Sequence, residues 1–258
     1  MKRYKGIVVA QIVLICCLLS GCTSAKKEVV RLAVAANMQY TVEALLKAYK
    51  AHADTEFELV VGASGKLSQQ IIHGAPYAML ISADSSYPMA LQTEGLAALP
   101  PKPYARGILV LWTNRDDMQL TDWKALLIDK RVKHIALPNP KTAPYGKAAL
   151  FLLQHSGLYD QLAPKMVTAE SISQASQFIA SGSADIGFTA KAIVLSPQMR
   201  HVGKFIEIPD TFYPPIVQSA VLLRNEQPAI AEKALAFYDF LYSDEAKQIL
   251  LTFGYKEP

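Results

Sequence analysis

A β-branched run that breaks into Gly-Ala-Ser-Gly and restarts at once with helical spacing is the feature that most constrains this chain. Val60-Val61-Gly62-Ala63-Ser64-Gly65-Lys66-Leu67 reads as strand, tight turn and helix start, and Ser68 to Ile72 continue the helix. A strand that feeds directly into a helix is the unit of sheets covered by helices. The turn glycines let backbone N–H groups face outward, and a helix start leaves about four N–H donors without intrahelical partners. Such a turn can hold an anion. Ser64 can cap the helix or donate its hydroxyl to a ligand. The turn is not a P-loop, because the G-x-x-x-x-G-K-[ST] spacing is absent and Leu67 follows Lys66.

The same unit recurs along the chain. Val29 to Ala35 reads as a buried strand, and Ala36-Asn37 opens a helix with Val42, Leu45, Leu46 and Tyr49 on one face. Asn37 is a good N-cap residue. Ala78 to Ser82 is a third strand, followed by a loop at Ala83 to Ser86 and a helix ending at Glu94-Gly95. This β-α-β-α-β-α order predicts a parallel sheet. Pro100-Pro101-Lys102-Pro103 interrupts it, and a strand restarts at Gly107, which places a crossing near Ala105 to Gly107. A second set follows: a helix from Thr121, a strand at His134 to Leu137, a helix from Tyr145, and a strand at Lys165 to Val167. Ser171-x-x-Gln174 then has capping-box spacing, and Asp185 to Thr189 is another strand. Pro214-Pro215 marks a return crossing, Val217 to Leu223 is a strand, and two helices close the chain.

The expected division is a signal peptide over 1–21, a tether over 22–28, lobe I over 29–105 and 217–258, and lobe II over 106–216. The first segment has a basic start (Lys2, Arg3, Lys5), an apolar run from Ile7 to Leu19, and then Leu19-Ser20-Gly21-Cys22, which matches a lipobox. Cys22 is the expected lipidation site. All three cysteines lie in residues 16–22, so residues 23–258 contain neither a disulfide nor a catalytic thiol. The formal charge is +4, of which three units belong to Lys2, Arg3 and Lys5. The remaining Lys and Arg are scattered, which argues against nucleic acid. The five histidines are dispersed without an H-x-x-x-H pair, and neither an S-x-x-K at Ser64, which is followed by Gly65-Lys66-Leu67, nor a G-x-S-x-G motif points to an enzyme.

Four helix starts follow strand ends: Ala36-Asn37, Ala63-Ser64, Ala143-Pro144-Tyr145 and Ser171-Ile172. Ligands of parallel sheets bind at the carboxyl ends of the strands. With two starts in each lobe, all four can converge on a cleft. Donors without cations suit a fully deprotonated anion, whose charge helix ends partly offset. A protonated anion such as hydrogen phosphate would leave its O–H unpaired, at a cost of about 1–3 kcal/mol.

These elements resemble the extracytoplasmic molybdate-binding (ModA-like) proteins of ABC transporters. The resemblance lies in Ala33 to Met38, Gly62-Ala63-Ser64-Gly65, Ile81-Ser82-Ala83-Asp84, Asn139-Pro140, Ala143 to Ala149 and Ile186-Gly187-Phe188, in the family's order. It implies an α/β two-lobe periplasmic-binding-protein fold of type II, with a two-segment hinge. It also implies that the oxyanion, molybdate or tungstate, is held by Asn37, Ser64, Tyr145, Ile172 and Ala36. Ser64 would use its hydroxyl, Asn37 its side-chain amide, and Tyr145, Ile172 and Ala36 their backbone N–H groups. The metal would be met only as this oxyanion, through Asn37, Ser64, Tyr145 and Ile172, with no cofactor. An ABC permease with its cytoplasmic ATPase, and the membrane through the lipid anchor, are the implied partners of a monomer. Some family members use a tyrosine after the late strand, where this chain has Phe188-Thr189-Ala190. Two alternatives stand beside this reading: the same fold binding sulfate, thiosulfate or another small anion, and a lipoprotein sensor without transport.

Overall fold

The structure is a computed structural model that describes residues 28–258. The signal peptide, the lipidation site Cys22 and nearly all of the tether lie outside the described residues.

Strand β1 (Val29–Ala35) leads through a 3-10 turn (Ala36–Met38) into helix α1 (Gln39–Tyr49). Then come β2 (Glu56–Gly62), α2 (Ser64–Ile72), β3 (Met79–Ser82), α3 (Ser86–Thr93) and β4 (Lys102–Gly107). The chain crosses to β5 (Leu109–Thr113), α4 (Trp123–Ile128), β6 (Ile135–Pro138), α5 (Pro144–His155) and α6 (Tyr159–Leu162). It continues through β7 (Met166–Ala169), α7 (Ile172–Ala180), β8 (Ile186–Ala190), α8 (Lys191–Val194) and β9 (Lys204–Glu207). It returns along β10 (Ile216–Leu222) to α9 (Pro228–Leu241) and α10 (Asp244–Thr252).

Two five-stranded sheets result, ordered β2-β1-β3-β10-β4 and β7-β6-β8-β5-β9. The strand–helix units pair in parallel: β1 lies between β2 and β3, and β6 between β7 and β8. The sheets are nevertheless mixed, not parallel as the unit order predicts. β10 runs antiparallel to β3 and β4, and β5 antiparallel to β8 and β9. A strand that arrives from the other lobe enters without a helical crossover, so nothing forces it to run parallel.

Alternation along the central strands places apolar side chains on both faces. Val30, Leu32 and Val34 of β1 pack with Leu45, Phe237 and Leu241 beneath α1 and α9, whereas Ala33 faces Leu67, Leu80 and Val221. In lobe II, Leu109 and Leu111 join Leu137 and Phe188, while Val110 and Trp112 join Ala175 and Ile179. Trp112 and Trp123 are both buried core residues.

β4 contradicts the reading of Pro100 to Pro103 as an interruption. Pro103 lies within a strand, which it can do because β4 is the last strand of its sheet. The register shifts between Gln218 and Ser219, which pair with Ala105 and Pro103, so Tyr104 is skipped. The short edge strand β9 had no signal strong enough to be read.

Candidate anion site

All four strand-to-helix turns meet between the lobes. One small cavity is lined by Ala36 and Asn37 from the 3-10 turn, Ala63 and Ser64 at the start of α2, Tyr145 in the first turn of α5, and Ile172 at the start of α7. Ala35, Gly62, Ala83, Ala143 and Pro144 complete the wall, and no lining residue carries charge. Asn37, Ser64, Tyr145 and Ile172 are all nearly completely buried. The structure thus brings together every residue that the sequence singles out for the anion. β1, β2, β6 and β7 deliver these turns at their carboxyl ends, and backbone N–H groups at the first positions of each turn have no partner within it.

Ser64 is the first residue of α2, and Ala63 occupies the N-cap without a side-chain bond. The capping role for Ser64 is therefore not realised. Its Oγ instead accepts the Ala83 backbone N–H at 3.0 Å. That bond occupies the oxygen as an acceptor and leaves the hydroxyl proton to be donated, the polarity an anion requires.

Asn37 does not cap α1 either. It sits in the 3-10 turn, where neither the turn nor α1 has a side-chain cap. Its Nδ2 donates to Gln218 Oε1 at 2.8 Å and to the Tyr255 hydroxyl at 3.0 Å, and the Tyr255 hydroxyl also contacts the Asn37 carbonyl at 3.2 Å. Both amide protons are thereby committed within the protein, so the side-chain donor expected of Asn37 is not free for the anion, and only its backbone N–H remains for that role. Gln218 Nε2 donates in turn to the carbonyls of Ala83 and Ile216. A buried amide pair therefore joins the turn after β1, the loop after β3 and the return strand β10.

Tyr145 follows Pro144, which sits at the first position of α5. Proline is suited there because its missing N–H would have no helical partner, so the next N–H is the one presented. The ring is buried, and its hydroxyl has no hydrogen-bond partner among the described residues. Burial, then the neighbouring hydroxyls of Tyr255, Tyr213 and Tyr104, outweigh the opposing effect of the nearby Asn37 side chain, which lies outside hydrogen-bonding geometry, and push the Tyr145 hydroxyl well above the usual tyrosine range, so it stays protonated. Burial raises Tyr255 in the same direction.

Ser171 caps α7 by accepting the Gln174 N–H at 3.3 Å. The reciprocal bond of the predicted capping box shifts by one residue, because Gln174 Oε1 accepts from Glu170 N–H at 2.6 Å. Within Phe188-Thr189-Ala190, Thr189 Oγ1 pairs with Ser176 Oγ at 2.6 Å, and none of the three residues lines the cavity.

The cleft is closed by contacts between its lips. Gly65 N–H donates to the Thr142 carbonyl at 3.0 Å, Ser173 Oγ to the Ala36 carbonyl at 3.1 Å, and the Tyr87 hydroxyl to the Lys141 carbonyl at 3.3 Å. Lys66 forms an ion pair with Glu170. A β-carbon on Gly65 would stand 2.7 Å from the Tyr87 hydroxyl and 3.1 Å from Thr142 Cα, so any larger residue would have to displace the Tyr87 side chain and press on the Thr142 backbone.

Sequence reasoning missed Gln218, Tyr255 and Ser173. Gln218 alone had a local signal: a large polar amide inside the apolar run Ile216 to Leu222. The others are recruited by tertiary contacts. Asp84 acts as a loop residue, accepting the Tyr87 N–H at 3.3 Å and the Ser86 hydroxyl at 2.9 Å. Among the described residues no cluster of His, Cys, Asp and Glu could hold a metal cation.

A two-lobed chain with a neutral, donor-lined cavity between its lobes has the architecture of a solute-binding protein. The sequence matches that family over residues 30–256, and the chain belongs to the bacterial extracellular solute-binding proteins. It is 40% identical over 196 residues to the molybdate-binding protein ModA of Rhodobacter capsulatus, covering 75% of each chain. It is 33% identical over 238 residues to ModA of Azotobacter vinelandii, covering 92% of this chain and 93% of that one. The solved structure of the Azotobacter vinelandii periplasmic molybdate-binding protein superimposes with a TM-score of 0.81 at 34% identity, covering 89% of this chain and 99% of the other.

Proposed function

We propose that this protein captures molybdate, or the isostructural tungstate, outside the cytoplasm and delivers it to an ABC permease with a cytoplasmic ATPase. One observation carries the reading: four helix or turn starts, two from each lobe, converge on a small cavity with uncharged walls. Ala36, Asn37, Tyr145 and Ile172 supply backbone N–H groups, and Ser64 supplies its hydroxyl. Each helix end contributes about 0.3–1 kcal/mol toward a negative charge. Bonds from neutral donors to the charged oxygens add about 1.5–3 kcal/mol each. Donors from both lobes meet the anion together only when the lobes close, so binding and closure are one event. The protein performs no turnover: it binds, travels as a monomer tethered by lipid on Cys22, and releases its cargo as the lobes part. The ModA relatives support this assignment over sulfate or a sensor role.

The test is a thermal-shift titration of residues 23–258 with molybdate, tungstate, sulfate and phosphate, followed by calorimetry. A ligand at about a hundred times its Kd stabilises by about 2.7 kcal/mol. Molybdate and tungstate are expected to give such shifts, with little response to phosphate. A response to sulfate alone would move the assignment to that anion, and no response to any oxyanion would overturn it.

A further inference from the structure

We propose that Lys66 and Glu170 form a latch across the mouth of the cleft that sets the affinity for the anion without touching it. Lys66 stands two residues beyond Ser64 in lobe I, and Glu170 two residues before Ile172 in lobe II. Their side chains meet as an ion pair. Neither lines the cavity. The pair is held by rigid supports on both sides. Lys66 lies in the first turn of α2, beside the Gly65 N–H bond to Thr142. The Glu170 backbone N–H is fixed by Gln174 Oε1. The partners are carried by opposite lobes, so parting the lobes breaks the pair, and it counts only toward the closed form. Both side chains are about half exposed, at 44% and 62%, so salt weakens the latch.

The latch has a signature that simple electrostatics does not share. If the two side chains acted on the anion only through their fields, removing the negative charge of Glu170 would tighten binding. A latch predicts the opposite: Glu170→Gln loosens binding although it deletes a negative charge beside an anion site. The inference rests on the reading of the cleft as an anion site, and its test has an arm that does not.

The experiment compares wild type with Glu170→Gln, Lys66→Glu, Glu170→Lys and the Lys66→Glu/Glu170→Lys double variant. Kd and dissociation rate for molybdate are measured at 50 mM and 1 M NaCl, and lobe separation in ligand-free protein by spin-label distances. Expected for each single variant is a Kd raised about threefold to fivefold at low salt, faster release and a larger share of open lobes. The double variant is expected to return to within about twofold of wild type, and the differences to fade at 1 M NaCl, where the screening length is about 3 Å. Tighter binding by Glu170→Gln, additive effects in the double variant, or unchanged lobe separation in the single variants would each overturn the latch. If wild type binds no oxyanion, the functional reading fails, and the lobe-separation arm still decides on the latch.

Discussion

The hydroxyl of Tyr145 occupies the space where a β-carbon on Gly107 would stand. Gly107 ends β4, the last residue before the chain crosses to lobe II, while Tyr145 belongs to the anion-facing turn of that lobe. One residue thus presents its N–H to the cavity and lays its ring against the hinge. Gly107→Ala is expected to hold the lobes apart, because Gln218 Nε2 also stands only 2.9 Å from the new carbon. Affinity for the anion should fall at least tenfold, about 1.4 kcal/mol, with the separate lobes still folded. Calorimetry and small-angle scattering check both halves.

The hydroxyl itself is buried without a partner among the described residues. Leaving such a group unpaired costs about 1–3 kcal/mol. Tyr145→Phe keeps the ring and the backbone donor and removes that cost, so denaturant unfolding should show a gain of about 1 kcal/mol. A loss of stability would mean that the hydroxyl is bonded in solution.

Ser64→Ala removes the one hydroxyl donor assigned to the anion. A lost bond of about 1.5–3 kcal/mol corresponds to a Kd raised about tenfold to a hundredfold. The same change strips Ala83 N–H of its acceptor, so the unliganded protein should also unfold at lower temperature. Asn37→Ala should act more on stability than Ser64→Ala, because it leaves Gln218 Oε1 unpaired in a buried pocket and releases the Tyr255 hydroxyl. Ligand-free melting curves of the two variants, paired with their Kd values, separate these effects.

The lines of the fold that depend on local pattern were legible in the sequence. The alternating apolar strands, the Gly-Ala-Ser-Gly turn, and Pro144 at the head of α5 all carry their structure in their own spacing. So did the convergence of the anion residues, because a strand-to-helix turn is both a local signal and the site. What stayed hidden depended on the partner rather than the residue. Pro103 reads as a breaker until β4 is known to be an edge. Ser64 reads as a cap until Ala83 N–H is found on its oxygen. Gln218 and Tyr255 meet Asn37 from 181 and 218 residues away in the chain, and no periodicity reports a contact at that range.

Stability of lobe II should depend on pH through Asp185. Partial burial pushes its carboxyl up, but backbone N–H bonds from His134 and Lys133 and the Arg115 guanidinium outweigh this and hold it below the ordinary 3.8. A carboxylate with a depressed folded pKa stabilises above its unfolded pKa, and that stability is lost as pH falls through the folded value. Asp185→Asn should therefore melt below wild type at pH 7, and the gap should close as pH is lowered below about 4. Calorimetric scans from pH 7 to pH 3 test this, and a gap independent of pH would refute it.

Alanine recurs around the cavity, at positions 35, 36, 63, 83 and 143. With donors that are largely main-chain, exchanging the side chains there leaves the hydrogen-bonding pattern in place and changes only the room inside it. The binding surface behaves as a mould adjusted one methyl group at a time. Descendants of such a chain can move to a smaller or larger tetrahedral anion by single substitutions at these alanines, without rebuilding the chemistry that recognises charge.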